Sequence, residues 1–134
     1  MKKILIVLTI LFSNFVFSQE DLITKGFEAY SRGDYLIALK CFKKSCSLNS
    51  GDGCSNLGAM YQNGFGVKKD NFKAVELYQK SCSLNSGLGC SNLGAMYANG
   101  FGVKKDISKA LEYFGKACDL RDDLGCQNYA RLKQ

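Results

Sequence analysis

The stretch KSCSLNSGLGCSNLGAMYANGFGVKKD, residues 80–106, decides the fold because it occurs twice in the chain. Residues 44–70 have the same 27-residue sequence except for two substitutions, Asp52 in place of Leu88 and Gln62 in place of Ala98. The two copies begin 36 residues apart. Such a period is typical of stacked arrays, because one short unit cannot bury its apolar face without a neighbour. We therefore expect one elongated domain.

The first half of each repeat predicts a helix, which we call helix A. Small and apolar side chains recur at helical spacing and so share one face; in the first copy they are Cys54, Leu57, Gly58 and Tyr61. A glycine can end a helix in the left-handed conformation without a side-chain clash. Gly64 is therefore the expected end of helix A.

The second half of each repeat predicts an antiparallel partner, helix B. Asp70 is its expected N-cap, and its inward stripe consists of Ala74, Leu77, Tyr78 and Ser81. Between the two helices, residues 65–67 are expected to form a loop with an apolar plug. The chain has no proline, which fits a chain whose turns depend on glycine alone.

The repeat pattern extends in shortened form toward the N-terminus. Residues Gly26, Ala29 and Tyr30 match helix A, and the helix B stripe then starts at Ala38. The interval from Tyr30 to Ala38 is eight residues, whereas the corresponding interval from Tyr61 is thirteen, so the loop insertion is missing. At the other end, residues 123–134 begin a further helix A without a helix B, which indicates a terminal cap.

Six of the seven cysteines follow the repeat as three C-x7-C pairs: Cys46 and Cys54, Cys82 and Cys90, Cys118 and Cys126. Each pair spans the turn between a helix B and the next helix A, where antiparallel neighbours can bring two Cα atoms within disulfide reach. We therefore expect three disulfides local to the repeats. A zinc site would require C-x-x-C knuckles and usually histidine, which are absent, so we expect no metal or other cofactor.

Cys41 is the seventh cysteine and has no counterpart in the later repeats, where Leu77 and Tyr113 take its place. We expect it to remain unpaired on the buried stripe of helix B. Two interpretations stay open: a buried thiol that packs as a small apolar side chain, or a reactive thiol that forms an intermolecular bridge.

Residues 1–18 predict an export signal, with a charged start and an apolar run over residues 4–12 that is too short for a stable membrane span. Val16 and Ser18 have the small side chains required before a cleavage site, so we expect Gln19 to begin the mature chain. The alternative is an uncleaved anchor or a buried core helix. Export predicts a secreted or periplasmic protein with no membrane span after cleavage, in a compartment that permits disulfides.

The charge of the chain excludes one class of partner. The net charge of +6 falls to +4 once Lys2 and Lys3 are removed with the signal. The remaining paired lysines are spaced apart and lack the interleaved aromatic side chains of a single-strand binding platform. We therefore expect no nucleic-acid partner.

The sequences LGAMYQNGFGVKKDNFKAVELYQKSC (57–82) and LGAMYANGFGVKKDISKALEYFGKAC (93–118) resemble the Sel-like repeat, a relative of the tetratricopeptide repeat. With its paired cysteines and export signal, the chain is similar to the Helicobacter cysteine-rich protein (Hcp) family. The resemblance implies an all-α fold, a right-handed α/α superhelix with a concave face. The expected organisation is a signal peptide (1–18), a tetratricopeptide-like first unit (19–50), Sel-like repeats (51–86 and 87–122) and a C-terminal capping helix (123–134).

The same resemblance implies penicillin binding and slow β-lactam hydrolysis, yet the sequence has no standard β-lactamase motif. No serine is followed three residues later by lysine, no G-x-S-x-G elbow occurs, and there is no histidine. Cys41 and Lys44 form a C-x-x-K pair in which the lysine could lower the pKa of the thiol. The catalytic residues, if the chain is an enzyme, stay unassigned.

Three asparagines recur at the repeat period: Asn56, Asn92 and Asn128. By resemblance to tetratricopeptide domains, they are candidates for hydrogen bonds to the backbone of a peptide on the concave face. Two alternatives are equally open: the amides could join neighbouring helices, or face water. Further candidates at the edge of the groove are Gln62, Asn63 and Asn99, whereas we expect four tyrosines in the core: Tyr30, Tyr61, Tyr78 and Tyr97.

Two functions follow from these observations. The duplicated surface and the missing catalytic motifs favour an exported scaffold that binds a peptide, a protein or a peptidoglycan-derived cell-wall fragment. The alternative, which depends on the family resemblance alone, is a penicillin-binding protein with weak β-lactamase activity that also binds β-lactams.

Overall fold

Seven α-helices and no strand make up residues 2–134, the part of the chain that the computed structural model describes, apart from the side chains of residues 12–19. The helices are α1 (Lys2–Ser31), α2 (Tyr35–Ser47), α3 (Gly51–Asn63), α4 (Asn71–Ser83), α5 (Gly87–Asn99), α6 (Ile107–Asp119) and α7 (Asp123–Leu132). The predicted all-α repeat fold is therefore confirmed. The side chains at the predicted cleavage site, Val16, Ser18 and Gln19, lie outside the described residues.

Successive helices pack against each other in pairs, and the helices A also pack directly on one another. α3 contacts α5, and α5 contacts α7, although a helix B separates each pair in the sequence. The helices α3, α5 and α7 therefore form one layer with α1, while α2, α4 and α6 form the other. This arrangement gives the helices A a common surface, which we call the A layer.

The helix ends follow the predicted capping chemistry. The Asp70 carboxylate accepts a hydrogen bond from the Lys73 backbone N–H at 3.0 Å, and Asp106 caps α6 in the same way. Gly64 ends α3 in the left-handed conformation with φ 70°. These local interactions set the length of each helix and repeat with the sequence.

The expectation that turns depend on glycine alone is wrong at the junctions between helix B and the next helix A. There the left-handed conformation belongs to Asn49, Asn85 and Arg121, with φ of 61° to 64°. Asparagine tolerates this conformation because its short polar side chain can bond locally. Because Arg121 adopts the same left-handed conformation, we infer that the packing of the two helices imposes it, rather than the residue type.

Disulfides join Cys46 to Cys54, Cys82 to Cys90 and Cys118 to Cys126, as the C-x7-C spacing predicts. The paired Cα atoms lie 4.4 to 4.5 Å apart across the turn between a helix B and the following helix A. In the loop-closure model, each of these short loops restricts the unfolded chain by roughly 2.5 kcal/mol. Cys41 is free and half-buried rather than fully buried, so its expected place on the stripe is only partly correct.

The register of the repeats is set by contacts between a glycine of helix A and a ring of helix B. A Cβ atom added to Gly58 would lie 2.7 Å from the Tyr78 ring, so a larger residue would force the helices apart. Gly94 meets the Phe114 ring in the same way, and Gly26 meets Phe42. Gly26 of the first unit therefore corresponds to Gly58 of the second.

This register shows that the expectation of a buried Tyr30 is wrong. Tyr30 follows Gly26 by four residues, whereas Tyr61 follows Gly58 by three, so the counterpart of Tyr61 is Ala29. Ala29 is fully buried, and Tyr30 is 38% exposed because it lies one residue further around the helix. The other tyrosines expected in the core behave differently: Tyr78 and Tyr97 are buried, and Tyr61 is half-buried against the core.

The start of α1, over residues 2–11, contributes nothing to the described core. Its apolar side chains from Ile4 to Leu11 are more than half exposed. Among the side chains that the structure describes, Ile23 is the first that packs against a core cluster. In the portion of the chain with described side chains, no helix combines the length and apolar character needed to cross a membrane.

Candidate functional site

A cavity of about 210 Å³ opens on the A layer between α1 and α3, with α2 as its floor. Its walls are mainly aromatic and aliphatic, with two amides as the side-chain polar groups besides one phenol. The lining residues are Phe27, Tyr30, Phe42, Asn56, Ala59, Met60, Asn63 and Phe65. A space of this size holds one side chain of a ligand and is smaller than the 300–1,000 Å³ typical of drug-sized ligands.

Aromatic contacts hold the cavity walls in place. Phe27 packs edge-on against Phe42 at 5.4 Å between ring centroids. Phe65 stacks on Tyr35 at 4.8 Å and meets Tyr30 at 5.9 Å. These rings interact favourably in offset-stacked and edge-to-face geometries, so the wall is fixed before any ligand arrives.

The cavity is specific to the junction between the first and second helices A. By the glycine register, the places of Phe27 and Tyr30 are taken by Ala59 and Gln62 in α3. In α5 they are taken by Ala95 and Ala98. The aromatic wall therefore occurs only where α1 meets α3, and 48% of Phe27 and 38% of Tyr30 remain exposed to solvent.

The three periodic asparagines have different environments. The Asn92 amide donates a hydrogen bond to the Ser55 hydroxyl at 3.2 Å, which joins α5 to α3. Asn128 accepts a hydrogen bond from Arg131 one turn further along α7. Asn56 forms no side-chain hydrogen bond with the described residues. By the glycine register, the residue of α1 that corresponds to Ser55 is Ile23, whose apolar side chain cannot accept a hydrogen bond. Of the three, Asn56 alone lines the cavity.

The other predicted ligand-binding residues divide into one internal and two exposed amides. The Gln62 side chain is half-buried and accepts a hydrogen bond from the Tyr78 hydroxyl at 2.6 Å. Asn63 and Asn99 are exposed, and each donates to a carbonyl of its own helix at 2.8 Å. Asn63 lines the cavity, whereas Asn99 lies one repeat away. Their role in binding stays a prediction.

Burial changes the chemistry of Tyr78. Its side chain is 1% exposed, and this desolvation raises the pKa of the phenol well above its usual value. The neutral phenol is therefore kept as a hydrogen-bond donor to Gln62. Phe114 occupies the equivalent place in the next repeat, and Ala98 replaces Gln62 there, so both members of the pair change together.

Sequence reasoning missed Phe27, Phe65 and Met60 as parts of the site. The sequence does hold the signal: Gly26 is the counterpart of Gly58, and this register turns Phe27 and Tyr30 toward the next helix A. The first unit lacks the loop that aligns the later repeats, so its register does not follow from the 36-residue period.

The cavity offers no acid, base or nucleophile of the usual catalytic kinds. Its only ionisable lining group is the Tyr30 phenol. Among the residues that the structure describes, no group of three or more His, Cys, Asp or Glu side chains is placed to hold a metal ion.

Comparison with known proteins identifies the repeat. The Sel1 repeat family model matches residues 25–50, 51–86 and 87–122. Beta-lactamase HcpA of Helicobacter pylori is 45% identical over 56 residues, which are 42% of this chain and 22% of that protein. Across the first three curated relatives that it matches, the chain spans 14%, 22% and 18% of their length.

Two solved structures have the same architecture. Helicobacter pylori cysteine rich protein B is 34% identical with a TM-score of 0.65, and the match covers 81% of this chain and 95% of that one. A Sel1 repeat protein from Oxalobacter formigenes is 37% identical with a TM-score of 0.68, and the match covers 75% of this chain and 41% of the other. The fold is therefore shared with Helicobacter pylori cysteine rich protein B and with the Sel1 repeat protein from Oxalobacter formigenes.

Proposed function

Because the chain belongs to the Sel1 repeat family, we propose that it is an exported scaffold that binds an extended segment of a partner protein on its A layer. One side chain of that segment enters the cavity between α1 and α3. The observation that carries the proposal is the position of Asn56, a half-buried amide without a hydrogen-bond partner among the described residues, beside exposed aromatic walls.

The dimensions of the cavity favour a peptide anchor. A volume of about 210 Å³ accommodates one aromatic or branched aliphatic side chain, and the aromatic walls offer stacking to such a group. A cell-wall glycan would present many hydroxyl groups, and the cavity has too few polar groups to satisfy them. A peptide or protein is therefore favoured over a peptidoglycan-derived fragment.

The two amides at the cavity supply the polar part of such a complex. Asn56 has both a carbonyl acceptor and two N–H donors available, which match the backbone N–H and C=O of one ligand residue. Asn63 retains its carbonyl oxygen after donating to Ala59. An extended peptide could therefore place one side chain in the cavity and hydrogen-bond its backbone at the cavity edge.

Three observations support export. The apolar start of α1 is exposed and makes no contribution to the core, which is expected of a removable signal. The glycine register makes Gln19 the counterpart of Gly51, the first residue of α3, so cleavage before Gln19 would leave a complete helix A. Three disulfides fit an oxidising compartment outside the cytoplasm.

A defined probe tests the cavity. N-acetyl-phenylalanine methylamide presents one aromatic side chain and one backbone unit, and we expect it to shift the NMR resonances of Asn56 and Asn63 with millimolar affinity. N-acetyl-alanine methylamide, which has no anchor, should cause no comparable shift. Chain 19–134 is suitable because it retains every described residue of both core clusters.

Matched variants locate the binding. Ala59→Leu fills the cavity with a branched side chain, whereas Ala95→Leu makes the same change one repeat away, where no aromatic wall exists. Ala59→Leu should abolish the shifts and Ala95→Leu should keep them. Equal responses from the two variants, or no response to the phenylalanine probe in the wild type, would contradict the proposal.

β-Lactam binding with weak hydrolysis is the second candidate, and the observation that favours it is the 45% identity to the segment of Beta-lactamase HcpA. The test is hydrolysis of a penicillin and a cephalosporin by disulfide-intact protein, with Cys41→Ser beside it. Turnover that is proportional to protein concentration and survives a chelator would support this activity. Its loss in Cys41→Ser would identify the thiol as the nucleophile.

A further inference from the structure

The edge of the array where the helices B begin carries exposed apolar side chains, and we call it the loop edge. Leu36 is 67% exposed and Phe72, its counterpart one period later, is 75% exposed. Ile37 projects beside Leu36, and Phe101 and Ile107 continue the row in the third unit. Phe72 and Leu36 are the two most exposed large apolar side chains of residues 20–134.

These side chains belong to one continuous edge because each A–B loop packs on the start of the preceding helix B. Gly66 lies against the Tyr35 carbonyl, where a Cβ atom would come within 2.9 Å, and Gly102 lies against the Asn71 carbonyl in the same way. The order along the edge is therefore the start of α2, the loop 64–70, the start of α4, the loop 100–106 and the start of α6. Leu36 and Phe72 occupy equivalent positions one period apart on it, and Ser108 takes this position in the third unit.

The loops of this edge also carry paired lysines. Lys68 and Lys69 precede Asp70, and Lys104 and Lys105 precede Asp106; all four lysines are exposed. Within residues 2–134 as described, none of the four forms an ion pair. The two aspartates are already used as helix caps, so their carboxylates face their own helices. The edge therefore combines free positive charge with protruding apolar groups.

We propose that the loop edge docks on an anionic phospholipid bilayer, with Leu36 and Phe72 inserted between headgroups and the lysine pairs held at the lipid phosphates. Juxtaposed cationic and apolar side chains are the combination that binds the interface of an anionic membrane. Each lysine near such a surface is worth about a fivefold gain in affinity.

The charge distribution argues against a second copy of the chain as the occupant. An isologous dimer would bring the same lysine pairs face to face, and like charges in contact oppose association. The apolar residues also stand apart, separated by loops, and so do not form the closely packed centre that a protein interface requires. A bilayer needs no shape complementarity and can receive them individually.

Vesicle co-sedimentation tests the inference with chain 19–134, which excludes the apolar start of α1. We expect binding to vesicles of phosphatidylglycerol and phosphatidylethanolamine to exceed binding to phosphatidylcholine vesicles by at least tenfold. The double variant Leu36→Ser/Phe72→Ser should weaken it at least fivefold. Leu124→Ser removes an exposed apolar side chain from α7, away from the loop edge, and should leave binding unchanged.

A matched charge variant distinguishes binding through the loop edge from general electrostatic attraction of the chain to anionic vesicles. Lys68→Glu/Lys69→Glu and Lys43→Glu/Lys44→Glu change the net charge equally, and the second pair lies at the opposite end of α2. We expect the first to weaken vesicle binding at least tenfold more than the second. Equal effects of the two pairs, no preference for anionic vesicles, or full binding by Leu36→Ser/Phe72→Ser would each overturn the inference. The cavity variants Ala59→Leu and Ala95→Leu should bind vesicles as the wild type does, so this test is independent of the peptide proposal.

Discussion

The Asn92 amide donates a hydrogen bond to the Ser55 hydroxyl at 3.2 Å and thereby joins two helices A of successive repeats. Ser55 is buried and Asn92 is half-buried, so water cannot fully replace this hydrogen bond if it is lost. The same asparagine position serves a structural role in the third helix A and is available to a ligand in the second. A repeated residue therefore does not imply a repeated function.

Asn92→Ala should lower the free energy of unfolding by about 1 kcal/mol, because it removes this bond and leaves the buried Ser55 hydroxyl without it. Asn56→Ala is the matched control and should change stability by less than about 0.5 kcal/mol. Urea unfolding with the disulfides intact measures both. Equal losses in the two variants would contradict the structural assignment of Asn92.

Tyr78→Phe should make stability less sensitive to alkaline pH. Burial raises the pKa of Tyr78 in the folded state, so below pH 10, the usual unfolded value, both states keep the proton and no pH dependence arises. Above pH 10 the unfolded chain releases the proton while the folded chain retains it, and the free energy of unfolding falls.

Tyr78→Phe has no ionisable phenol at this position, so its free energy of unfolding should fall less steeply between pH 10 and 11 than that of the wild type. At pH 7 it should be about 1 kcal/mol less stable, because it loses the hydrogen bond to Gln62. Urea unfolding from pH 7 to 11 measures both effects, and a Cys41→Ala background prevents thiol–disulfide exchange. Parallel curves for the two proteins would contradict the assignment.

Gly58→Ala should destabilise the protein by about 1–3 kcal/mol, because its Cβ atom would lie 2.7 Å from the buried Tyr78 ring. Gly115→Ala is the comparison: its Cβ atom would lie 3.3 Å from the half-buried Tyr129 ring, which has room to move. That variant should stay within about 0.5 kcal/mol of the wild type, since alanine also favours the helix. Similar losses would mean that close helix approach at Gly58 does not set the register.

Cys82→Ala/Cys90→Ala should lower the free energy of unfolding by roughly 2.5 kcal/mol through the loss of one loop closure. The double variant is required, because a single substitution would leave a second thiol able to exchange. Thiol titration of the denatured, unreduced protein should find one equivalent per chain, from Cys41, in the wild type and in the variant. More than one equivalent, or a mapped bridge to Cys41, would contradict the repeat-local pairing.

The candidate site could be predicted only in part. The asparagine positions and the A layer follow from periodicity, and Asn56 and Asn63 do line the cavity. The internal bonds of Gln62 and Asn92 could not be read from the sequence, because each depends on a side chain of another helix. The aromatic wall was missed for the same reason.

The sequence by itself determined the repeat, the helix ends and the cysteine pairing, because these depend on interactions between residues that are close in the chain. Asp70 caps its own helix, and Cys82 reaches Cys90 across one turn. Only the tertiary structure decided the register of the shortened first unit, in which the Phe42 ring meets Gly26 and Tyr30 is left exposed. That register depends on how α1 and α2 pack, and the packing creates the cavity.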